Sequence, residues 1–172
     1  MKDQELLELC NKYLYCNPTD GILYRIKGGY GISKLGIVQC KGREGYGYLR
    51  VTLKGKKYLQ HRIIFLMYHG YLPKFIDHIS GVRDDNRIGN LREATKKQNN
   101  CNVKLRKDNK SGYKGVNWHK NNKSWLSSIR VNGKSSHIGY YSCKHEAAKA
   151  YNDAAIKQHG EFAFLNKLGG QL

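Results

Sequence analysis

The sequence lacks the features of a membrane-spanning or exported protein. Its longest apolar run, residues 63–68, is far shorter than the ~20 residues of a spanning helix. The first five residues contain no apolar segment of the signal-peptide kind, so we expect a cytoplasmic protein. The five cysteines are odd in number and form no Cys-x-x-Cys pair, which argues against a disulfide framework and a zinc knuckle. Only 2 prolines occur beside 19 glycines and 13 tyrosines, which indicates short strands and tight turns.

Acidic residues are scarce. The 172 residues include 31 Lys and Arg against 13 Asp and Glu, for a net charge of +18. Up to residue 100 there are 18 basic and 9 acidic residues, and beyond it 13 and 4, so each part carries +9. Charge spread in this way attracts polyanions, and nucleic acid is the expected partner because Lys and Arg release counterions from its phosphates. A basic membrane-surface protein is the competing interpretation, and the apolar pattern does not favour it.

The first hundred residues contain short helical and extended patterns. Leu49, Val51 and Leu53 alternate with polar residues, as in a strand with one buried face. An apolar stretch with a basic lead-in precedes Gly70 and Pro73 and predicts a buried helix that ends there. The predicted elements are a helix at 4–15, a strand at 22–26, a strand at 48–53 and a helix at 61–69.

The last third has a clearer pattern. Residues 104–112 are polar and basic with nothing to bury, and we interpret them as an interdomain linker. Asn132-Gly133 is a strong two-residue hairpin signal between two of the following strands. Strands are predicted at 113–118, 125–131 and 135–140. A helix follows, with Ser142 as N-cap, a face of Ala147, Ala150, Tyr151, Ala154 and Ala155, and a stop at Gly160. The fold class is therefore α+β.

One polar cluster could carry chemistry. Asp77 and His78 are adjacent, Asn90 follows His78 by twelve residues, and Asn99 follows Asn90 by nine. A hard divalent ion with oxygen ligands such as Asp77 and Asn99 stabilises charge on a phosphate, and a neutral imidazole at His78 can take a proton from water. Asn90 could bond the loop or hold the imidazole in orientation. The alternative is a turn cap beside a surface histidine, since Asp and Asn are common in turns.

These residues resemble the phage-type HNH homing endonucleases. The resemblance lies in Tyr58 to Ile63, Ile76 to His78, Asp85 to Arg87, Asn90 to Thr95 and Asn99. It implies a ββα-metal nuclease core with N-terminal strands over residues 1–103. It also implies that His78 is the general base, that Asp77 and Asn99 bind the metal, and that Asn90 is a structural residue of the catalytic loop. The expected metal is Mg²⁺, with Mn²⁺ as a substitute, because an amide oxygen is a hard ligand.

The pair His61-Arg62 matches a pair ahead of the motif in similar nucleases. We favour a structural role for His61 and expect DNA contact from Arg62, with packing as the open alternative.

Residues 113–168 resemble the Apetala-class DNA-binding domain of plant ethylene-response factors. The resemblance lies in Ser111 to Val116, Trp125, Ile129-Arg130, Gly139 to Tyr141, Glu146 to Tyr151, Ala154-Ala155, Gly160 and Asn166. It implies a three-stranded antiparallel sheet that is packed on one helix and lies in the major groove. The matching contact positions are Lys114, Asn117, His119, Ser128, Arg130, Ser135 and His137. Only Lys114 and Arg130 keep a strong cation, so we expect a target other than that of the plant domain, or mostly phosphate-directed binding. Trp125 and Ile129 are expected in the core, and Trp118 is left open.

Together the two resemblances imply a homing-type endonuclease that cuts double-stranded DNA with one metal and one base, with a nick in one strand as one outcome. We expect a monomer, with a dimer as the alternative, in the cytoplasm of a phage-infected or mobile-element-carrying bacterial host. A non-enzymatic DNA-binding regulator is the main rival. A ribosomal-type RNA-binding protein would explain the charge but not the spacing of the polar cluster.

Overall fold

The computed structural model describes residues 2–26, 38–102, 105 and 108–169. The chain forms two compact units, Met1–Lys96 and Lys97–Leu172. Within the described ranges, no helix is long and apolar enough to cross a membrane. Both units combine helices with small antiparallel sheets, so the predicted α+β class is confirmed.

The N-terminal unit contains three small sheets and two helices. One sheet has the order β1-β2-β3, a second β4-β5-β6, and β7 pairs with β8. Its elements are α1 Asp3–Tyr13, β1 Leu14–Asn17, β2 Ile22–Arg25, β3 Val38–Gln39, β4 Gly42–Arg43, β5 Leu49–Leu53, β6 Lys56–Leu59, α2 Gln60–His69, β7 Phe75–His78 and β8 Leu91–Ala94. Short 3₁₀ turns lie at Gly45–Gly47 and Ile88–Asn90.

The core of this unit lies where α1 and α2 meet the sheets. Val51 and Leu53 are buried, as the alternation along β5 predicts. Helix α2 is apolar over most of its length, with Ile63 to Leu66 buried, and it ends at Gly70, which adopts the left-handed conformation. The predicted buried helix at 61–69 is confirmed to within one residue.

The predicted first helix is wrong at its C-terminal end. Helix α1 stops at Tyr13, and Leu14 and Tyr15 belong to β1, which pairs antiparallel with β2. Leu14 satisfies the 3.6-residue period of the helix, and it is equally a buried strand residue. The turn at 17–21 brings β2 back alongside β1, and this pairing makes Leu14 and Tyr15 strand residues.

The C-terminal unit is a three-stranded antiparallel sheet, ordered β11-β10-β9, packed on one long helix. Asn132 and Gly133 both have positive φ, at 52° and 81°, as the predicted hairpin turn requires. Its elements are α3 Lys96–Cys101 at the boundary between the units, β9 Val116–His119, β10 Ser124–Val131, β11 Lys134–Tyr141, α4 Lys144–His159 and a 3₁₀ turn at Gly160–Phe162.

Small residues let α4 lie close on the sheet. Ala147, Ala148 and Ala155 are fully buried, and the hydroxyl of Ser127 donates to the carbonyl of Ala147 at 2.9 Å. Ile129 is buried as predicted. The half-buried ring of Trp125 packs on this core. Trp118, whose position the sequence left open, is 50% exposed and therefore lies outside the core, and its ring meets that of Trp125 edge to face.

Three local predictions in this unit need correction. Cys143, not Ser142, is the N-cap of α4, and no side chain caps this helix. The first strand starts at Val116 and not at residue 113, because Gly115 has φ of 76°, which is outside the range of a strand. A side chain at Gly115 would also overlap Tyr151. Part of the predicted linker forms a turn with Ser111 buried, since its hydroxyl and Asn109 bond the Tyr113 carbonyl. Linker residues 104, 106 and 107 lie outside the described residues.

Candidate active site

The hairpin of β7 and β8 positions the predicted metal ligand and base. Asp77 pairs with Arg92 across the hairpin, and His78 pairs with Leu91. Both Asp77 and His78 are about 95% buried, with exposed fractions of 4% and 5%. Successive strand residues point to opposite faces, and the two side chains accordingly meet different neighbours. The alternative interpretation, a turn cap beside a surface histidine, is therefore not what this structure contains.

On one face, Asp77 forms an ion pair with Arg92. Its Oδ2 accepts from Nε at 3.0 Å and from Nη2 at 2.8 Å, and both side chains are nearly buried. This charge-assisted contact compensates the buried carboxylate and fixes its orientation. Arg92 was part of the matched motif, but the sequence analysis gave it no role.

On the other face, His78 lies in a polar and aromatic pocket. Its Nε2 is 3.1 Å from Oδ1 of Asn86, and its ring centroid is 4.9 Å from that of His61 and 5.9 Å from that of Tyr48. Burial lowers the pKa of His78 below its ordinary value because it disfavours the imidazolium, although Asn86 and nearby carboxylates oppose the shift. The imidazole is therefore neutral near pH 7, as a proton acceptor requires.

Asn86 is a site residue that the sequence analysis missed. It is 1% exposed and contacts the imidazole directly. The turn between β1 and β2 supports it: the Ile88 amide donates to the Pro18 carbonyl at 2.9 Å, and Gly21, with φ of 69°, lies so close that a side chain there would overlap Asn86 and Arg87. Sixty-odd residues separate these segments, so no local pattern could have joined them.

Asn90 fastens the loop that follows His78. Its side-chain oxygen accepts from the Ser80 amide at 2.8 Å, and its side-chain nitrogen donates to the Asp85 carbonyl at 2.7 Å. Its own carbonyl accepts from the Ile79 amide at 2.9 Å. Of the two roles considered for Asn90, the structure shows bonding within the loop, and the imidazole is held by Asn86.

His61 and Arg62 have internal contacts. His61 is 5% exposed, its ring packs on His78 and Tyr48, and its Nδ1 has no partner among the described residues. Burial, with the charges of His78 and Arg62, lowers the pKa of His61 to about 3. Arg62 donates to the carbonyls of Pro73 at 3.0 Å and Lys74 at 3.3 Å. DNA contact by Arg62 stays a prediction.

Asn99, the predicted second metal ligand, lies on α3, beyond the boundary at Lys96 between the two units. Among the described residues, no group of three or more His, Cys, Asp or Glu side chains could hold a metal ion. Asp77 offers a carboxylate and Asn99 an amide oxygen, and both are hard ligands of the kind that Mg²⁺ binds. The pairing of these two residues stays a prediction.

Six of the seven contact positions predicted for the C-terminal unit share the sheet face turned away from α4. Cross-strand register places Asn117 beside Leu126, His137 beside Ser128, and Arg130 beside Ser135. Tyr140 joins this face, and its ring centroid lies 5.1 Å from that of His119 and 4.8 Å from that of His137. We call this the sheet face; its residues are Asn117, His119, Leu126, Ser128, Arg130, Ser135, His137 and Tyr140.

Lys114, the seventh predicted contact position, differs from these six. Its Nζ donates to the Cys101 carbonyl at 2.8 Å and lies 5.1 Å from the Phe164 ring centroid. Burial lowers the pKa of this ammonium. The structure thus turns Lys114 toward its own unit, and its predicted DNA contact remains untested.

Comparison with known proteins identifies a family over the part of the chain that carries this site. The HNH endonuclease family matches residues 58–101, from β6 to α3. The chain is 34% identical to Protein 3.8 of Escherichia phage T7 over 97 residues, which cover 55% of this chain and 79% of the phage protein. It is also 34% identical to HNH endonuclease L560 of Acanthamoeba polyphaga mimivirus over 130 residues, or 74% of this chain and 65% of the viral protein. No solved structure matches the chain significantly. The Apetala-class resemblance stays a prediction.

Proposed function

The chain belongs to the HNH endonuclease family, and we propose on this basis that it is a metal-dependent endonuclease that hydrolyses phosphodiester bonds in double-stranded DNA. The observation that carries the proposal is the burial and fixed orientation of His78 directly beside Asp77 on β7. A buried imidazole held by a side-chain hydrogen bond is costly to maintain and suits a proton acceptor.

His78 takes the proton of the attacking water in this proposal. In this proposal His78 is the tautomer with its proton on Nε2, which donates to Asn86 Oδ1 because an amide oxygen only accepts hydrogen bonds, and Nδ1 carries the lone pair. Asn86 acts through His78 and is a positioning residue, and Asn90 maintains the loop that carries Asn86. The lowered pKa keeps the base unprotonated near neutral pH.

Asp77 and Asn99 would hold the metal. When bound, Mg²⁺ or Mn²⁺ supplies positive charge for the scissile phosphate and the leaving oxygen. Arg92 keeps the Asp77 carboxylate oriented and limits its rotation. The hard oxygen donors of this pair support a preference for magnesium over softer metals.

Binding energy comes from charge and from the sheet face. The +9 carried by each part of the chain provides long-range attraction to phosphates that weakens as salt rises. We propose that the sheet face contacts the duplex through Asn117, His119, Arg130 and His137, as in the Apetala class. Arg130 is the one strong cation among these four, so most of its contact with DNA should be to phosphate. Arg62 and Lys114 are further proposed contacts.

One base and one metal suffice to cut one strand, so we propose a homing-type enzyme that nicks as a monomer. A double-strand break would need a dimer or a second binding event. The phage and viral origin of the relatives supports action in the cytoplasm of an infected or mobile-element-carrying host.

The experiment is cleavage of a randomised duplex library by the purified chain. We expect Mg²⁺-dependent cutting at a recoverable preferred sequence, with loss of cutting in EDTA. A regulator without enzymatic activity would instead retain and enrich a sequence without cutting it, and that result would contradict the proposal.

A further inference from the structure

A tight turn between β4 and β5 presents an aromatic ring to solvent. Tyr46 is at the centre of the 3₁₀ turn Gly45–Gly47, with φ of 63° and ψ of 18°, and it is 89% exposed. The Glu44 amide donates to the Tyr48 carbonyl at 2.8 Å and closes the turn. A left-handed backbone is uncommon for a bulky residue, and strain of this kind concentrates at functional sites.

This turn is fastened to the loop that follows the proposed base. Arg83 donates from Nη1 to the Tyr46 carbonyl at 2.9 Å, and its guanidinium lies 5.2 Å from the centroid of the Tyr48 ring. The Tyr48 ring in turn lies 5.9 Å from that of His78. One hydrogen bond and two ring contacts therefore connect the Tyr46 backbone with the imidazole.

The surroundings favour a nucleic-acid partner for the Tyr46 ring. Arg83 anchors the turn, and Arg43, at the base of the turn, keeps a 70% exposed side chain although its Nη1 forms an ion pair with Oδ2 of Asp84 at 3.8 Å. Cations of this kind attract a phosphate backbone, and a phosphate backbone brings the flat faces of bases within reach of an exposed ring. A hydrophobic protein partner would need a contiguous apolar patch, and Tyr46 is flanked by glycines.

We propose that Tyr46 contacts the substrate DNA directly, its ring packing against a base at the step beside the phosphate that His78 serves. This inference rests on the proposed nuclease function. Side chains that insert between bases open the step that they enter, which would expose the scissile phosphate to the buried imidazole.

Three variants test the contact. Tyr46→Asn removes the ring, and asparagine tolerates the left-handed backbone. Tyr46→Phe keeps the ring, and Tyr68→Asn removes a tyrosine on α2 that is 57% exposed. On the preferred duplex, we expect kcat/KM to fall by roughly 5- to 150-fold for Tyr46→Asn, the range for loss of one stacked base, and to stay within about twofold for the other two. Equal kcat/KM for the parent and Tyr46→Asn would overturn the inference and leave the nuclease function standing.

A second readout does not depend on cutting. Duplexes that contain bromodeoxyuridine are irradiated with the parent protein in Ca²⁺, and the cross-linked peptides are identified by mass spectrometry. We expect the peptide with Tyr46 to be cross-linked in the parent and not in Tyr46→Asn. If the parent cuts no duplex, the proposed function fails and this readout decides the contact alone: absence of a Tyr46 cross-link then overturns the inference.

Discussion

His61 makes the stability of the N-terminal unit depend on pH. Burial and neighbouring charges lower its pKa from 6.5 to about 3, so between these values the unfolded chain binds a proton that the folded chain does not. The stabilisation is complete above pH 6.5 and is lost as the pH falls toward 3. Each pKa unit corresponds to about 1.4 kcal/mol, so at about pH 4.5 the parent should have lost roughly 2–3 kcal/mol through His61 alone.

His61→Gln removes the titrating group and tests this magnitude. We expect the difference in free energy of unfolding between the parent and His61→Gln to shrink by roughly 2–3 kcal/mol between about pH 7.5 and pH 4.5. The assay is urea unfolding followed by far-UV circular dichroism. Tryptophan fluorescence is recorded alongside, because Trp118 and Trp125 both lie in the C-terminal unit and report it separately. A pH-independent difference between the two proteins would refute the reasoning.

Three further predictions follow from the contacts. Asn86→Ala should lower the cleavage rate by about 10- to 100-fold with little change in duplex affinity, because the imidazole loses its orientation; an unchanged single-turnover rate would contradict this. Gly21→Ala should destabilise the chain in urea unfolding by at least about 1 kcal/mol more than Gly55→Ala, which has a similar φ but open space around it; equal losses would refute the support of Asn86 by the turn. Arg130→Gln should weaken duplex binding and reduce the salt slope by about one, measured by fluorescence anisotropy, whereas an α4 variant, Lys157→Gln, should not. If Arg130→Gln bound the duplex as tightly as the parent, the sheet face would not be part of the DNA interface.

Local patterns predicted the elements whose structure is decided locally. The alternation in β5, the apolar run of α2 with Gly70 after it, and the Asn132-Gly133 turn each specify a conformation within a few residues. Leu14 shows the limit of this approach. Its position satisfies the helical period, and only the pairing of β1 with β2 makes it a strand residue.

The candidate site was likewise predicted from the sequence only in part. The spacing of Asp77, His78 and Asn90 identified residues that the structure places on one hairpin and its loop. The contact of Asn86 with His78 lies within one loop, and it depends on a loop conformation that the residue spacing does not specify. The close approach of Gly21 to Asn86 could not be read from the sequence because it joins segments that are distant along the chain. Arg92 lies within the motif, but its role as the ion-pair partner of Asp77 follows only from the register of the hairpin, which places the two residues opposite each other.

The central claim is that His78 is the base of a DNA-cutting site. Its most direct test is the single-turnover cleavage rate of the preferred duplex in Mg²⁺, for the parent, for His78→Ala and for His69→Ala, which changes an exposed histidine of the same unit. We predict that His78→Ala lowers the rate by about 10²- to 10⁴-fold while duplex binding persists, and that His69→Ala cuts as the parent does. Cleavage by His78→Ala at the parent rate would contradict the account.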